Sequence, residues 1–398
     1  MSARVSVEEH ASFVRSLLSG LGARPTERVA LGEALGRITA SPVESPIALP
    51  PFRNSQMDGF AVRAADVAGA PVSLSISGEV AAAPGAPLAL EPGTAVRIMT
   101  GAQVPEGADA VVPVEDTEAE DGDSVRILRA RAAGEYVREA GSDLAAGDDV
   151  LPPALLLGSR HLAAAAASGI TELLVRERVR VAVISTGSEL VAPGEVLGAG
   201  EIPDANGVAL AAAVQAAGAI VVHEARVRDD VDRLRDELDA ARAAGAELVI
   251  TSGGVSKGAY EVVRELLEPL GAWVGSVAMQ PGGPQAAAAY RGMPVIGFPG
   301  NPVSAQLSFE LFVAPTLRAI SGRPAASVDR LVLAEPLVSV AGRRQYLRGR
   351  RDAEGRAVLV GGPGSHLVAA LAASDLLIVV PEEVIELAAG ESVETIAL

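Results

Sequence analysis

The sequence has no cysteine, which excludes thiolate nucleophiles, disulfides, cysteinyl zinc sites and iron–sulfur clusters together. Histidine is scarce too. His10, His161, His223 and His366 stand far apart with no metal-ligand spacing, so no histidine-based metal site is expected. Aromatic residues make up only 3% of the chain, too few for a base-stacking platform. Lysine is nearly absent: among 33 basic residues, Lys257 is the single one. Against 50 acidic residues this leaves a net charge of −17. A phosphate backbone needs a basic face, so no nucleic-acid partner is expected. No uninterrupted apolar run reaches the roughly 18 residues of a membrane span. The start, MSARVSVEEH, lacks the charged-then-apolar pattern of a secretory signal. A cytoplasmic protein without membrane insertion is the expectation.

What is present divides the 398 residues by texture. Ser6-Val7-Glu8-Glu9 is a capping-box pattern ahead of a first helix, and prolines at 42, 46, 50 and 51 then keep the chain extended. Short β-prone runs with Pro/Gly turns over 51–140 predict a small antiparallel β domain or barrel. Residues 141–178 return to helix-compatible sequence and are grouped with 1–50 as an elongated linker domain. From 179 to 324 strand and helix patterns alternate: Val179–Ile184 strand, Val208–Ala217 helix, Ile220–Val222 strand, Asp230–Ala244 helix, Leu248–Ile250 strand, Tyr260–Leu270 helix, Val295–Phe298 strand, Pro302–Ile320 helix. That alternation predicts a parallel, doubly wound α/β sheet. Short strand-like runs over 325–398 predict a second small β domain. The fold class is therefore α/β with additional β domains.

In a doubly wound sheet, ligands bind outside the carboxyl ends of the strands. Three loops fall there: Ser185–Leu190, Thr251–Gly258 and Gly297–Ser304. Their small residues let backbone N–H groups approach a ligand, and helix N-termini add partial positive charge, which together favour an anion such as phosphate. Thr186, Gly187, Ser252, Gly253, Gly254, Ser256 and Lys257 are the candidate contacts. None of the loops matches the P-loop or GxGxxG pattern, which argues against ordinary ATPase and dinucleotide chemistry. Glu189 and Asp204, at strand ends, are candidates for hard-metal or substrate contact, and carboxylates beside an anionic ligand suit Mg²⁺. Asp229 and Asp230 read equally as caps of the following helix. Arg343–Arg351 places five arginines in nine residues. A solvated edge strand and an anion or acidic-partner site stand as equal readings of it.

Six segments together resemble the molybdopterin molybdenumtransferase family, the bacterial MoeA proteins and the E domain of gephyrin: NSQMDGFAVR, VRIMTGAQVPEGADAVVPVE, RVAVISTGSEL, TSGGVSKGAYE, VAMQPGGPQ and GFPGNPVSAQLSF. Gly364-Ser365-His366 and GRRQYLRGR look closest to the gephyrin-like bacterial branch. The resemblance implies a MoaB/MogA-like α/β domain, two small β-barrel-like domains, a helical linker domain and an elongated homodimer. It implies insertion of molybdenum from molybdate into adenylylated molybdopterin with AMP release, using Mg²⁺ or a similar ion. Carried over motif by motif, Asp58, Thr100, Glu189 and Asp230 would be catalytic, and Pro299, Gly300, Asn301, Pro302 and Ser304 would line the pterin pocket. The sequence departs from the family pattern at Ser188, Lys257, Glu261, Ser276, Gly283 and Ala286–Ala288; two of these replace cationic positions. The alternative is a gephyrin-like dimeric scaffold whose C-terminal β domain binds a protein partner, a membrane receptor or the division machinery.

Overall fold

The structure is a computed structural model that describes residues 4–120, 123–256 and 261–398. Lys257 lies outside the described residues. The chain folds as two units, one of Arg28–Val175 and one that joins the first 27 residues to Arg176–Leu398. The sequence pattern groups 1–50 with 141–178, whereas by packing the opening helix belongs with the α/β core.

The first of these units carries a six-stranded sheet. Its strands are β1 (Gly59–Val62), β2 (Val72–Val80), β3 (Thr94–Ile98), β4 (Ala110–Pro113), β5 (Thr117–Ala119) and β6 (Ser124–Ile127), in the order β4-β1-β3-β2-β6-β5. The β2–β3 pair is parallel, so the sheet is mixed where the turns had predicted an antiparallel one. Burial on both faces explains the unbroken apolar run of β1: Phe60 and Val62 enter one core cluster, Ala61 the opposite one. A smaller cluster gathers Val29, Leu151, Leu157, Ala165 and Leu173 around the helix Ser159–Ala167.

The other unit opens with α1 (Val7–Leu17). Its capping box is formed: Glu9 N–H donates to Ser6 Oγ at 3.1 Å and Ser6 N–H donates to Glu9 Oε2 at 2.8 Å. A second six-stranded sheet follows, made of β7 (Arg180–Thr186), β8 (Ile220–Val227), β9 (Leu248–Ser252), β10 (Trp273–Ser276), β11 (Pro284–Tyr290) and β12 (Met293–Phe298). The order is β8-β7-β9-β12-β11-β10. The first four strands are parallel, as the alternation predicted, but β11 and β10 add antiparallel. Successive residues of β7 enter opposite clusters, Val181 and Val183 on one face, Ala182 and Ile184 on the other. Helices α2 (Ala205–Ala216), α3 (Val231–Ala243), α4 (Val262–Leu267) and α5 (Pro302–Ser308) begin in loops at the carboxyl end of the sheet. The helical path of α5 continues through a wide turn, Phe309–Val313, to Ile320.

The C-terminal sheet contains β13 (Val328–Val332), β14 (Arg344–Arg351), β15 (Ala357–Leu359), β16 (Leu376–Val380) and β17 (Ser392–Ala397). Its order is β14-β16-β17-β13, with the short strand Met279–Gln280 and β15 also on β14. The arginine-rich segment is thus an interior strand and not a solvated edge. Arg344 pairs with Glu8 and Glu382, Arg351 pairs with Asp329, and Arg348, only 1% exposed, donates to the carbonyl of Gly362. Among the described residues no helix is long and apolar enough to cross a membrane.

Candidate functional site

Parallel pairing of β7, β9 and β12 brings their carboxyl ends into line, so the three small-residue loops meet. Gly253 N–H donates to the Phe298 carbonyl at 2.9 Å, and Thr186 Oγ1 donates to the Ser252 carbonyl at 3.2 Å. Gly300 backs onto Gly253, whose Cα lies 3.5 Å from where a side chain at Gly300 would begin. Two further contacts extend the site. Asn206 Nδ2 donates to the Gly300 carbonyl at 2.7 Å, and Val303 N–H, at the start of α5, donates to the Ser365 carbonyl at 3.1 Å. On another side, the buried Gln285 fixes the Pro281–Pro284 turn, donating from Nε2 to the Gly282 carbonyl at 2.7 Å and to Ser308 Oγ at 2.6 Å.

Together these segments enclose a cavity of about 1060 Å³. Thr186, Gly187, Glu189, Asp204, Gly253, Gly254, Ser256, Pro299, Gly300, Asn301, Pro302 and Ser304 all line it. Ser252 does not: it is 1% exposed and sits in the wall behind Thr186. Asp230 is not among the lining residues either. Its side chain caps α3, accepting from Asp232 N–H at 2.9 Å and Arg233 N–H at 3.0 Å, and the carboxylate at the cavity is that of Asp229. Both aspartates stand at the start of α3, and a one-residue shift there changes which side chain faces the cavity: Asp229 does, while Asp230 is held on the helix.

Asp58 and Thr100 belong to the other unit and meet each other there. The pairing of Gly59 with Ile98 places the residue before β1 beside those just after β3. Asp58 Oδ1 accepts from Thr100 N–H at 2.6 Å and from Thr100 Oγ1 at 2.7 Å. These two bonds, the backbone one foremost, hold the carboxyl below the usual carboxylate range.

The lining includes residues outside the expected contact set, among them Arg343, for whose segment an anion site was one of two readings. Arg4, Arg343, Asn206, Gln280, Ser365 and His366 all face the cavity. The Gly-Ser-His and arginine motifs stood out in the sequence, but only the tertiary fold carries them to this sheet edge; nothing marked Arg4. Among the described lining residues, four carboxylates (Glu189, Asp204, Asp229, Glu261) face two guanidiniums, Arg4 and Arg343.

The expected open cradle of backbone amides is only partly present. Gly187 N–H donates to the Val227 carbonyl at 3.0 Å, as Gly253 N–H does to Phe298, because the strand ends continue the backbone bonding of the sheet. The donor set for a metal is thin as well. Asp204 is 5% exposed, and its Oδ1 accepts from Ser185 Oγ at 3.0 Å and from Gly207 N–H at 2.9 Å, while Oδ2 lies 3.6 Å from Arg226. It serves as the cap of α2 and does not fit as a metal ligand. Among the described residues no group of three or more acidic, histidine or cysteine side chains is placed to hold an ion.

Comparison with known proteins agrees with this architecture. The family described as MoeA N-terminal region (domain I and II) matches residues 5–169, a probable molybdopterin binding domain matches 182–319, and the MoeA C-terminal region (domain IV) matches 330–398. The chain is 43% identical to molybdopterin molybdenumtransferase 2 of Mycobacterium tuberculosis over 98% of each sequence. Among solved structures it is similar to a molybdopterin biosynthesis MoeA protein from Pyrococcus horikoshii, with 33% identity, a TM-score of 0.80 and 99% of each chain covered. A second structure of such a protein from that organism gives 26% identity and a TM-score of 0.77 over the whole of both chains.

Proposed function

Because the chain belongs to the molybdopterin molybdenumtransferase (MoeA) family, with a role in molybdenum cofactor biosynthesis, we propose that its cavity binds adenylylated molybdopterin and that the protein transfers molybdenum from molybdate to it with release of AMP. The observation that carries this reading is the cavity itself: about 1060 Å³ at the carboxyl ends of β7, β9 and β12, walled by glycine-rich turns and within the segment matched by the molybdopterin binding family. Arg4 and Arg343 offset the charge of the phosphates and of molybdate. A magnesium ion fits only as part of the substrate complex, where Glu189 would give it one carboxylate beside the substrate's phosphates. When bound there, the ion supplies charge neutralisation at the phosphoanhydride. Asp58 and Thr100 enter as proposed catalytic groups, with a homodimer as the proposed assembly.

Purified protein supplied with adenylylated molybdopterin, Mg²⁺ and molybdate is expected to release AMP in step with molybdate consumption. Absence of AMP release at millimolar molybdate, with the nucleotide still bound, would reject the transferase reading and favour the scaffold.

Charge balance gives a second test. Gly283 lines the cavity, its φ is not in the left-handed region, and a Cβ there would meet nothing nearer than Ser276 Oγ at 3.3 Å. Gly283→Lys therefore adds a cation with modest strain. Binding of AMP should tighten by about tenfold at low salt, and the gain should shrink as salt rises. Titration calorimetry at two ionic strengths checks this; an equal affinity for both proteins would show that the cavity lacks no cation.

A further inference from the structure

Two loop amides beside the cavity are already held by carboxylates of the chain itself. Ser256 N–H donates to Glu261 Oε2 at 2.7 Å, and both residues line the cavity. Ser188 N–H donates to Asp229 Oδ2 at 3.1 Å, and Asp229 N–H returns a bond to Ser188 Oγ at 3.1 Å. Glu261 is the residue immediately before α4, yet its side chain makes no cap bond to the first turn of that helix. An aspartate at a helix start reaches the amides two and three residues ahead. The extra methylene of glutamate sends the carboxylate back to Ser256 instead.

A carboxylate on a backbone N–H is chemically the same partner as a phosphate oxygen, one anion on one donor. We infer that Glu261 and Asp229 are resident anions of this cavity, and that a phosphate-bearing ligand enters by displacing them from the amides of Ser256 and Ser188. The inference rests on the reading of the cavity as a nucleotide site and adds a regulation to it. The carboxylates occupy these two amides when no ligand is bound. They also compete with every incoming anion, so the free protein holds simple phosphate weakly and a ligand must bring several contacts at once to displace them.

The test is a calorimetric titration of the full chain with AMP and, separately, with inorganic phosphate, for the parent, Glu261→Gln, Asp229→Asn and Glu265→Gln. The amide variants keep the shape and an acceptor oxygen but remove the charge. Glu265 is exposed on α4 outside the cavity lining, so its variant reports the bare effect of one fewer negative charge. Glu261→Gln should bind AMP about tenfold more tightly and Asp229→Asn should gain in the same direction, with Glu265→Gln within about twofold of the parent. Unchanged or weaker AMP binding in both cavity variants overturns the displacement and leaves the two carboxylates as loop braces. Failure of the parent and all variants to bind AMP overturns instead the reading of the cavity on which the inference rests.

Discussion

Gly253→Ala is expected to abolish most of the proposed transferase activity. Gly253 has φ +90°, a conformation that an L side chain adopts only under strain, and a Cβ there would lie 2.4 Å from the Thr186 carbonyl oxygen and 2.7 Å from Thr186 Oγ1. The carbonyl cannot withdraw, because it belongs to the last residue of β7. The loop after β9 must move instead, and it carries Gly254 and Ser256 of the cavity wall with it. Strain and overpacking together cost about 3 kcal/mol or more. A displacement near 1 Å at a binding loop costs about 100-fold in rate. Gly147→Ala is the matched control, with φ +91° and nothing within 4 Å of its would-be Cβ. It should lose stability only, by about 1 kcal/mol. AMP release and thermal melting of both variants separate the two effects. Near-parental AMP release by Gly253→Ala would show that the three loops do not act as one rigid wall.

The same loops show how far the site was legible before the fold was known. A strand run followed at once by Ser-Thr-Gly, Thr-Ser-Gly-Gly or Pro-Gly-Asn-Pro announces a tight turn at a sheet's carboxyl edge, and all three turns line one cavity. What a linear pattern does not state is which donors the strands have already used. The amides of Gly187 and Gly253 close onto Val227 and Phe298, so the exposed chemistry moves one step outward, to residues such as Asp229, Glu261, Arg4 and Arg343. The two arginines come from opposite ends of the sequence, and no local signal links them.

The fold was legible where burial and period agree. Strand β7, buried along nearly its whole length, and α3, with Leu234, Leu238 and Ala241 inward, follow from pattern alone. Strand β11 does not. Its Ala286–Ala289 run has little intrinsic preference for extended structure, and its place is set by pairing with β12, where small side chains pass Gly297 and the packed Val255. The arginines of β14 mislead for a related reason: long stems bury their methylenes while the charged heads find Glu8, Glu382, Asp329 or a carbonyl.

His10→Phe should make the α/β unit markedly more resistant to acid. His10 lies on the inner face of α1 and is 2% exposed, with its ring centroid 4.6 Å from those of both Trp273 and Phe312. Neither ring nitrogen has a hydrogen-bond partner among the described residues. Burial without a partner disfavours the charged form and pushes the pKa from 6.5 down to about 4. Above pH 6.5 the imidazole is neutral in both folded and unfolded chains and adds no pH dependence. Between pH 6.5 and 4 the unfolded chain binds a proton that the folded chain refuses, so stability falls as pH falls, by about 1.4 kcal/mol per unit. At pH 4.5 the loss reaches about 2.5 kcal/mol, and below pH 4 it levels off. Phenylalanine fills nearly the same space among the aromatic rings, leaves no buried nitrogen unpaired and has no proton to bind. Trp273 is the only tryptophan of the chain and touches His10, so its fluorescence reports unfolding at this spot. Urea titrations followed at Trp273 should show parent and variant differing by about 2.5 kcal/mol more at pH 4.5 than at pH 7.5. A difference that stays constant between the two pH values would mean that His10 finds a proton acceptor in the folded chain and that its burial is not what sets the acid limit.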